Sequence, residues 1–261
     1  MDKGKQKVDI KNIMSTNGMP YVSFCEFEFV QDKLIPCRKI KELPQNAKSI
    51  IIAIFPYKVK EEAPKQISRY AAVPDYHTVC KRMLDAAAKE LSIRYPENEF
   101  KVFIDNSPIP EVAAAVHSGL GVMGKNGLLI HQRFGSFVFL GEIVTDLEIK
   151  ADKGDKKCLD CGQCKKLCPT KLCKNTCLSA VNQQKKPLSD DQKEQIRKSG
   201  YIWGCDICSE VCPMNKNAPT TYIKEFIDGY RNGYTPDEPN GDRAYNWRGP
   251  DVIKRNAMLF K

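Results

Sequence analysis

The sequence predicts an α+β chain: strands and helices in the amino-terminal part, then a smaller cysteine-rich part of loops and short helices. Three observations carry this reading. Lys48–Tyr57 (KSIIIAIFPY) holds six successive apolar residues between polar and proline boundaries, the mark of a buried strand. Asp75–Tyr95 repeats apolar residues at three- and four-residue steps, the period of an amphipathic helix. Nine of the twelve cysteines lie between Cys158 and Cys212.

Residues 1–20 carry no clear signal, and Tyr21–Phe29 reads as a short strand. The Lys48–Tyr57 run is apolar without alternation, so it needs cover on both faces of its sheet. In the Asp75–Tyr95 helix, Val79, Met83, Leu84, Ala87 and Leu91 share one face, and Asp75 can cap its start. Glu99–Ile104 is a second strand and Asp105–Pro110 (DNSPIP) a turn. Glu111–Ser118 is then a helix that Gly119 ends. Leu128–His131 and Ser136–Val144 are strands joined by a loop. The polar stretch Asp146–Lys157 marks a boundary, giving a first domain at 1–147, a cysteine-rich domain at 148–218 and a tail at 219–261. Ser189–Lys198 is a solvated helix capped by Ser189, and Tyr222–Tyr230 a helix in the tail.

The cysteines form two groups. The first is C-L-D-C-G-Q-C-K-K-L-C-P, with Cys158, Cys161, Cys164 and Cys168; the second is C-D-I-C-S-E-V-C-P, with Cys205, Cys208 and Cys212. The first has the C-x2-C-x2-C-x3-C-P spacing of two-cluster bacterial ferredoxins, whose fourth cysteine ligates the other cluster. Two [4Fe-4S] clusters follow. Cys158, Cys161, Cys164 and Cys212 hold one; Cys168, Cys205, Cys208 and an eighth thiolate hold the other. The eighth is Cys177, with Cys173 as its rival. Zinc sites stop at four ligands, and disulfides need an oxidising compartment.

Nothing in the composition is extreme: 42% hydrophobic and 28% charged residues suit one or two globular domains. No uncharged apolar run approaches the ~20 residues of a membrane span, and the polar start MDKGKQKVDIKN lacks a signal core. A cytoplasmic protein without membrane contact is expected. The formal charge of +9 suits nucleic acid, an anionic cofactor or an acidic electron donor without choosing among them.

Two stretches are candidates for chemistry. Asp105 sits between a strand end and a helix start, where ligands bind in open α/β sheets. An acid there becomes a proton donor if burial raises its pKa; an ordinary turn aspartate is the competing reading. The run GLGVMGKNG (119–127) follows a helix and precedes a strand, so it is no dinucleotide fingerprint. Its glycines serve either a tight connection or close approach to a large flat ligand, with Lys125 and Asn126 at a polar edge. His117 and His131 read as structural histidines, and Cys25, Cys37 and Cys80 as small hydrophobes.

Taken together, RYAAVPDYH (69–77), DNSPIPE (105–111), GLGVMGKNGLLI (119–130), FGSFVFLGEI (134–143), both cysteine groups, CLSAVN (177–182) and WGCDICSEVCP (203–213) resemble the epoxyqueuosine reductases, a cobalamin and iron–sulfur family acting in the last step of queuosine synthesis in tRNA. The resemblance covers roughly residues 45–215. It implies a nitroreductase-like, corrinoid-binding α/β domain followed by a ferredoxin-like domain that passes electrons to cobalt. It makes Asp105 the general acid and supports Cys177 over Cys173. Cobalamin would lie against Gly121, Lys125 and Asn126. D-Y-H (75–77) superficially matches the D-x-H-x-x-G of one corrinoid class, but Cys80 replaces its glycine, so His77 is a lining residue and not a cobalt ligand. Departures from the family pattern are Val73, Val112 and a short Cys168–Cys177 loop. Longer members carry a helical-repeat module that helps hold tRNA, starting near where this sequence ends, so a short member is expected. An electron donor such as flavodoxin or ferredoxin and a tRNA anticodon loop are the expected partners. The alternatives are a corrinoid-dependent reductase of a small electrophile and a non-catalytic two-cluster electron carrier.

Overall fold

The structure, a computed structural model, describes residues 3–236 and 242–260. Residues 1–2 of the expected first domain, and 237–241 and 261 of the expected tail, lie outside the described residues. The chain forms two compact units, each built from discontinuous segments. The first comprises Met1–Phe55, His77–Gln132 and Val138–Leu159; the second comprises Pro56–Tyr76, Arg133–Phe137 and Asp160–Lys261.

The first unit opens with α1 (Lys3–Thr16), where the sequence pattern assigns no element. Ile10, Ile13 and Met14 are buried at the spacing of one helical face; the surrounding lysines dilute that stripe in the sequence. β1 (Val22–Glu26) is shorter than expected because α2 (Glu28–Gln31) takes over the chain. β2 (Ser49–Pro56) is buried at every position, as its unbroken apolar run requires. α3 (Tyr76–Arg94) buries Val79, Cys80, Leu84, Ala87, Ala88 and Leu91, while Met83 is half-buried. Then come β3 (Phe100–Phe103), α4 (Glu111–His117), β4 (Val122–Met123), β5 (Leu129–Ile130) and β6 (Val138–Thr145).

The strands form a four-stranded sheet in the order β1-β2-β6-β3, with β4 and β5 as a separate hairpin. β1 pairs antiparallel with β2, and β3 antiparallel with β6. Hydrogen bonds from Lys48 N to Thr145 O (2.9 Å) and from Tyr57 N to Phe137 O (3.0 Å) bracket β2 and β6 in the same antiparallel sense. The sheet is therefore antiparallel, and the strand-end rule of open parallel sheets does not place Asp105. Register does. Phe103 lies opposite Glu142, so the end of β3 is neighbour to the only acid of β6. Gly141 beside it is required by close packing: a Cβ there would come within 2.7 Å of Leu84 and 3.2 Å of Phe55.

The second unit contains α5 (Gln163–Leu167), α6 (Leu178–Asn182), α7 (Asp190–Ser199), α8 (Ile207–Glu210), α9 (Lys224–Asp228) and α10 (Pro250–Ala257). α7 starts with the expected Ser189 cap, in a reciprocal box with Gln192. α9 is shorter than the expected Tyr222–Tyr230. Trp203, Ile67, Ala71, Ala72, Ile202 and Ile253 form one buried cluster. Buried asparagines fix the chain leading to Cys205. Asn182 exchanges two bonds with Gly204 (2.7 and 3.0 Å), and Asn256 Nδ2 donates to Asn182 O and Ile202 O at 2.6 and 2.8 Å. Among the described residues, no helix is long and apolar enough to cross a membrane.

Candidate active site and cysteine centres

The first site is built on the turn after β3. Asp105 and Asn106 both have positive φ, 42° and 34°. Such conformations cost ~1–3 kcal/mol outside glycine, are least unfavourable for Asp and Asn, and collect at functional sites. Asp105 Oδ2 meets His77 Nε2, from the first turn of α3, at 3.1 Å. The Asp105 side chain is 54% exposed and that of His77 34%, so a ligand can reach both.

Two more acids border this turn. Glu111 is the first residue of α4, and Glu142 is wholly buried on β6. No N–H group or cation is bonded to either carboxyl oxygen of Glu142 or to Oε1 of Glu111. Burial pushes the Glu111 carboxyl up to about 7, with the charge of Asp105 adding to it. Burial likewise holds Glu142 well above the ordinary carboxylate range, and the facing Glu111 carboxyl raises it further. Lys39, whose Nζ donates to Ile104 O at 3.5 Å, opposes both shifts without cancelling them, and the Ser107 hydroxyl does the same for Glu142. Two buried carboxyls facing one another do not both ionise readily, so the arrangement favours a proton shared between them.

The expected ligand-lining residues divide. His77 joins Asp105, whereas Gly121, Lys125 and Asn126 lie on or beside the β4–β5 hairpin, which packs on α4. The hairpin explains its own glycines. A Cβ on Gly121 would come within 2.7 Å of Ile130 O, and one on Gly124 within 3.0 Å of the Ile130 side chain. Asn126 Oδ1 accepts from Leu128 N at 3.3 Å and closes the turn. What the tip presents outward is Met123 and Leu128, both exposed, next to exposed Lys125: an apolar edge with one cation. His117 bonds Glu26 at 2.7 Å and stacks on Phe29, and His131 sits edge-on to Tyr21, as expected for structural histidines.

The cysteines are organised as a repeated device. No disulfide links any of the twelve. Cys164 is on α5 and Cys208 on α8, and these helices pack together. Each helix is followed by a Cys-Pro step, Cys168-Pro169 and Cys212-Pro213. Both cysteines there are extended (φ −65°, ψ 124° and φ −77°, ψ 120°), because the residue before proline is driven out of the helical region. Cys158 falls in the last segment of the first unit; the others expected as ligands, Cys161 among them, fall in the second. Burial pushes the Cys205 thiol up to about 12, and negative charge on Asp206, Cys208 and Cys177 adds to that. Cys177 thus lies within electrostatic reach of Cys205. Cys173 is exposed and bonds within its own turn, to Thr176, which lowers its pKa. Among the described residues, no three His, Cys, Asp or Glu side chains are grouped as ligands of a single ion.

Residues 38–106 match the family model described as epoxyqueuosine reductase QueG, DUF1730. An epoxyqueuosine reductase from Lactococcus garvieae is 33% identical over 248 residues, covering 82% of this chain and 68% of the relative. The chain belongs to the epoxyqueuosine reductase family. It is accordingly an oxidoreductase. The epoxyqueuosine reductase structure from Streptococcus thermophilus superposes with a TM-score of 0.81 at 26% identity, over 97% of this chain and 80% of that one. An epoxyqueuosine reductase crystallised with an epoxyqueuosine-modified tRNA-Tyr stem loop gives a TM-score of 0.84 at 23% identity, over 99% and 81%, and shares the fold.

Within this epoxyqueuosine reductase fold, the residue that sequence reasoning missed is Glu142. A signal existed. It is the only acid in the apolar run FVFLGEIV, where a buried face tolerates a carboxyl only with a partner. Glu111 was legible as the end of the DNSPIPE motif, but its role as that partner was not.

Proposed function

We propose that this chain reduces epoxyqueuosine to queuosine in tRNA, with Asp105 as the acid that protonates the departing epoxide oxygen. The observation that carries this is the Asp105–His77 pair, held accessible on a strained turn in a member of the epoxyqueuosine reductase family. His77 orients the Asp105 carboxyl by its Nε2 contact, and the positive-φ turn holds that carboxyl out from the end of β3. The neighbouring structure with a modified tRNA stem loop supports a tRNA substrate.

In this reading the functional division lies at 147/148, with a nitroreductase-like corrinoid-binding domain before it and a ferredoxin-like domain at 148–218. The donor set fits two [4Fe-4S] clusters: Cys158, Cys161, Cys164 and Cys212 for one, Cys168, Cys177, Cys205 and Cys208 for the other. The electrostatic link between Cys205 and Cys177 supports Cys177 over Cys173. The apolar, lysine-edged hairpin tip fits a large flat cofactor, so Gly121, Lys125 and Asn126 would line cobalamin. His77 Nε2, occupied by Asp105, would not ligate cobalt. A bound corrinoid would supply a strong carbon-directed reductant, and the protein supplies position, dryness and the proton. A cytoplasmic one-electron donor such as flavodoxin or ferredoxin would feed the clusters.

The test is Asp105→Asn in anaerobically reconstituted protein, assayed by nucleoside analysis of epoxyqueuosine-containing tRNA. Turnover should fall about 10²–10⁴-fold, the usual contribution of a positioned acid, with cobalamin uptake unchanged. Undiminished turnover removes the acid role, and no queuosine from the wild-type protein removes the substrate.

A further inference from the structure

Converting an epoxide to an alkene breaks both C–O bonds, forms the C=C bond and releases the oxygen as water. The balance is two electrons and two protons. In the proposed reaction, the one-electron donor supplies the electrons. One carboxyl, Asp105, holds at most one proton at a time. The second must reach it from another group during the reaction.

We propose that Glu111 and Glu142 form a proton-sharing pair that resupplies Asp105. Geometry supports each link. Glu142 lies opposite Phe103, two residues before Asp105 on the same strand end. Glu111 heads the helix that leaves the DNSPIP turn, and its carboxyl is within electrostatic reach of both Asp105 and Glu142. Glu142 is fully buried and no N–H group or cation is bonded to either oxygen, so its partners are the facing Glu111 carboxyl and the Ser107 hydroxyl. A carboxylate has no reason to be there unless protonated or sharing a proton. The other polar groups facing the pair are Lys39 and Ser107. Lys39 is placed on the Ile104 carbonyl, and the Ser107 hydroxyl accepts from Ile109 N at 3.1 Å while its own proton serves Glu142, one donor for two buried carboxyls. The proton therefore passes from Glu142 to Glu111 to Asp105, and bulk water refills the pair between turnovers. Glu111 and Glu142 are positioning residues that act through Asp105.

This inference rests on the reductase reading, so its test includes a measurement that needs no turnover. Infrared spectra of the purified protein without cobalamin or substrate should show a protonated-carboxyl band at pH 7. Both Glu142→Gln and Glu111→Gln should remove or shift that band; Asp105→Asn should keep it. A wild-type protein without the band at pH 7 overturns the pair, whatever the enzyme does. In turnover, Glu142→Gln should lower kcat about tenfold with KM for tRNA unchanged, and should move the pH at which kcat declines. Glu111→Gln gives the same readout if Glu142→Gln folds poorly. A wild-type kcat and pH profile in either folded variant overturns the relay. An inactive wild-type protein whose band both glutamine variants remove or shift refutes the substrate and leaves the pair standing, whereas a band that neither variant touches comes from another buried acid such as Asp206 and overturns the pair.

Discussion

At the scale of single residues, the Glu111–Glu142 pair makes stability depend on pH with a definite sign. Both carboxyls have folded-state pKa values above their unfolded value near 4.5, with Glu111 at about 7. The folded protein therefore binds more protons than the unfolded chain between those limits. Stability contributed by protonation is complete below about pH 4.5 and is lost as pH rises through 7 and beyond. A tenfold difference in proton affinity between the folded and unfolded chain is worth about 1.4 kcal/mol, so the loss attributable to the pair is on the order of a few kcal/mol. Asp206 in the second unit, pushed to about 7 chiefly by burial, adds a slope of the same sign. The difference between wild type and Glu142→Gln isolates the pair. Urea midpoints should fall from pH 5 to pH 8 in both proteins, and less steeply in the variant. Parallel slopes would mean that the pair is not titrating.

Elements show how far local pattern reaches. The β2 run, the α3 stripe, the α7 cap and the α4 stop at Gly119 (φ 76°) were all legible, because each is a local signal of apolar period, capping side chain or glycine. α1 was not, since three apolar residues among lysines give a weak stripe in the sequence, and only tertiary packing buries them. The hairpin glycines were ambiguous for a different reason: what a Cβ would strike at Gly121 is the carbonyl of Ile130, a partner across the hairpin, which only tertiary structure reveals. Gly121→Ala should therefore cost more than Gly127→Ala, where a Cβ meets nothing within 4 Å and only positive φ opposes it. Because the atom struck at Gly121 is backbone, overpacking there should reach the upper end of roughly 1–3 kcal/mol, against the lower end of about 1–2 kcal/mol of left-handed backbone cost at Gly127. Thermal midpoints of the two variants decide this, and equal shifts would contradict it. In the second unit the repeated helix-Cys-Pro device was readable from spacing alone. The choice between Cys173 and Cys177 was not, because it depends on which thiol folds back toward Cys205. Cys177→Ser should lose about half the iron on anaerobic reconstitution, and Cys173→Ser should retain it all; the reverse pattern would move the eighth ligand.

Across the whole molecule, the division into two units suggests that electron delivery and proton delivery can be broken separately. The turn carrying Asp105, the carboxyl pair and the hairpin belong to the first unit; all the expected cluster cysteines but Cys158 belong to the second. Cys205→Ser and Cys208→Ser should reduce bound iron and abolish turnover while cobalamin uptake, visible as corrin absorption, persists. Asp105→Asn should keep both iron and cobalamin and lose only turnover, because a missing acid removes a proton and leaves every cofactor contact in place. The paired outcome is informative because a general folding defect would depress iron, cobalamin and activity together. If the cysteine variants lose cobalamin along with iron, the units are not independent in cofactor binding, and the hairpin residues Gly121, Lys125 and Asn126 do not suffice to retain the corrin.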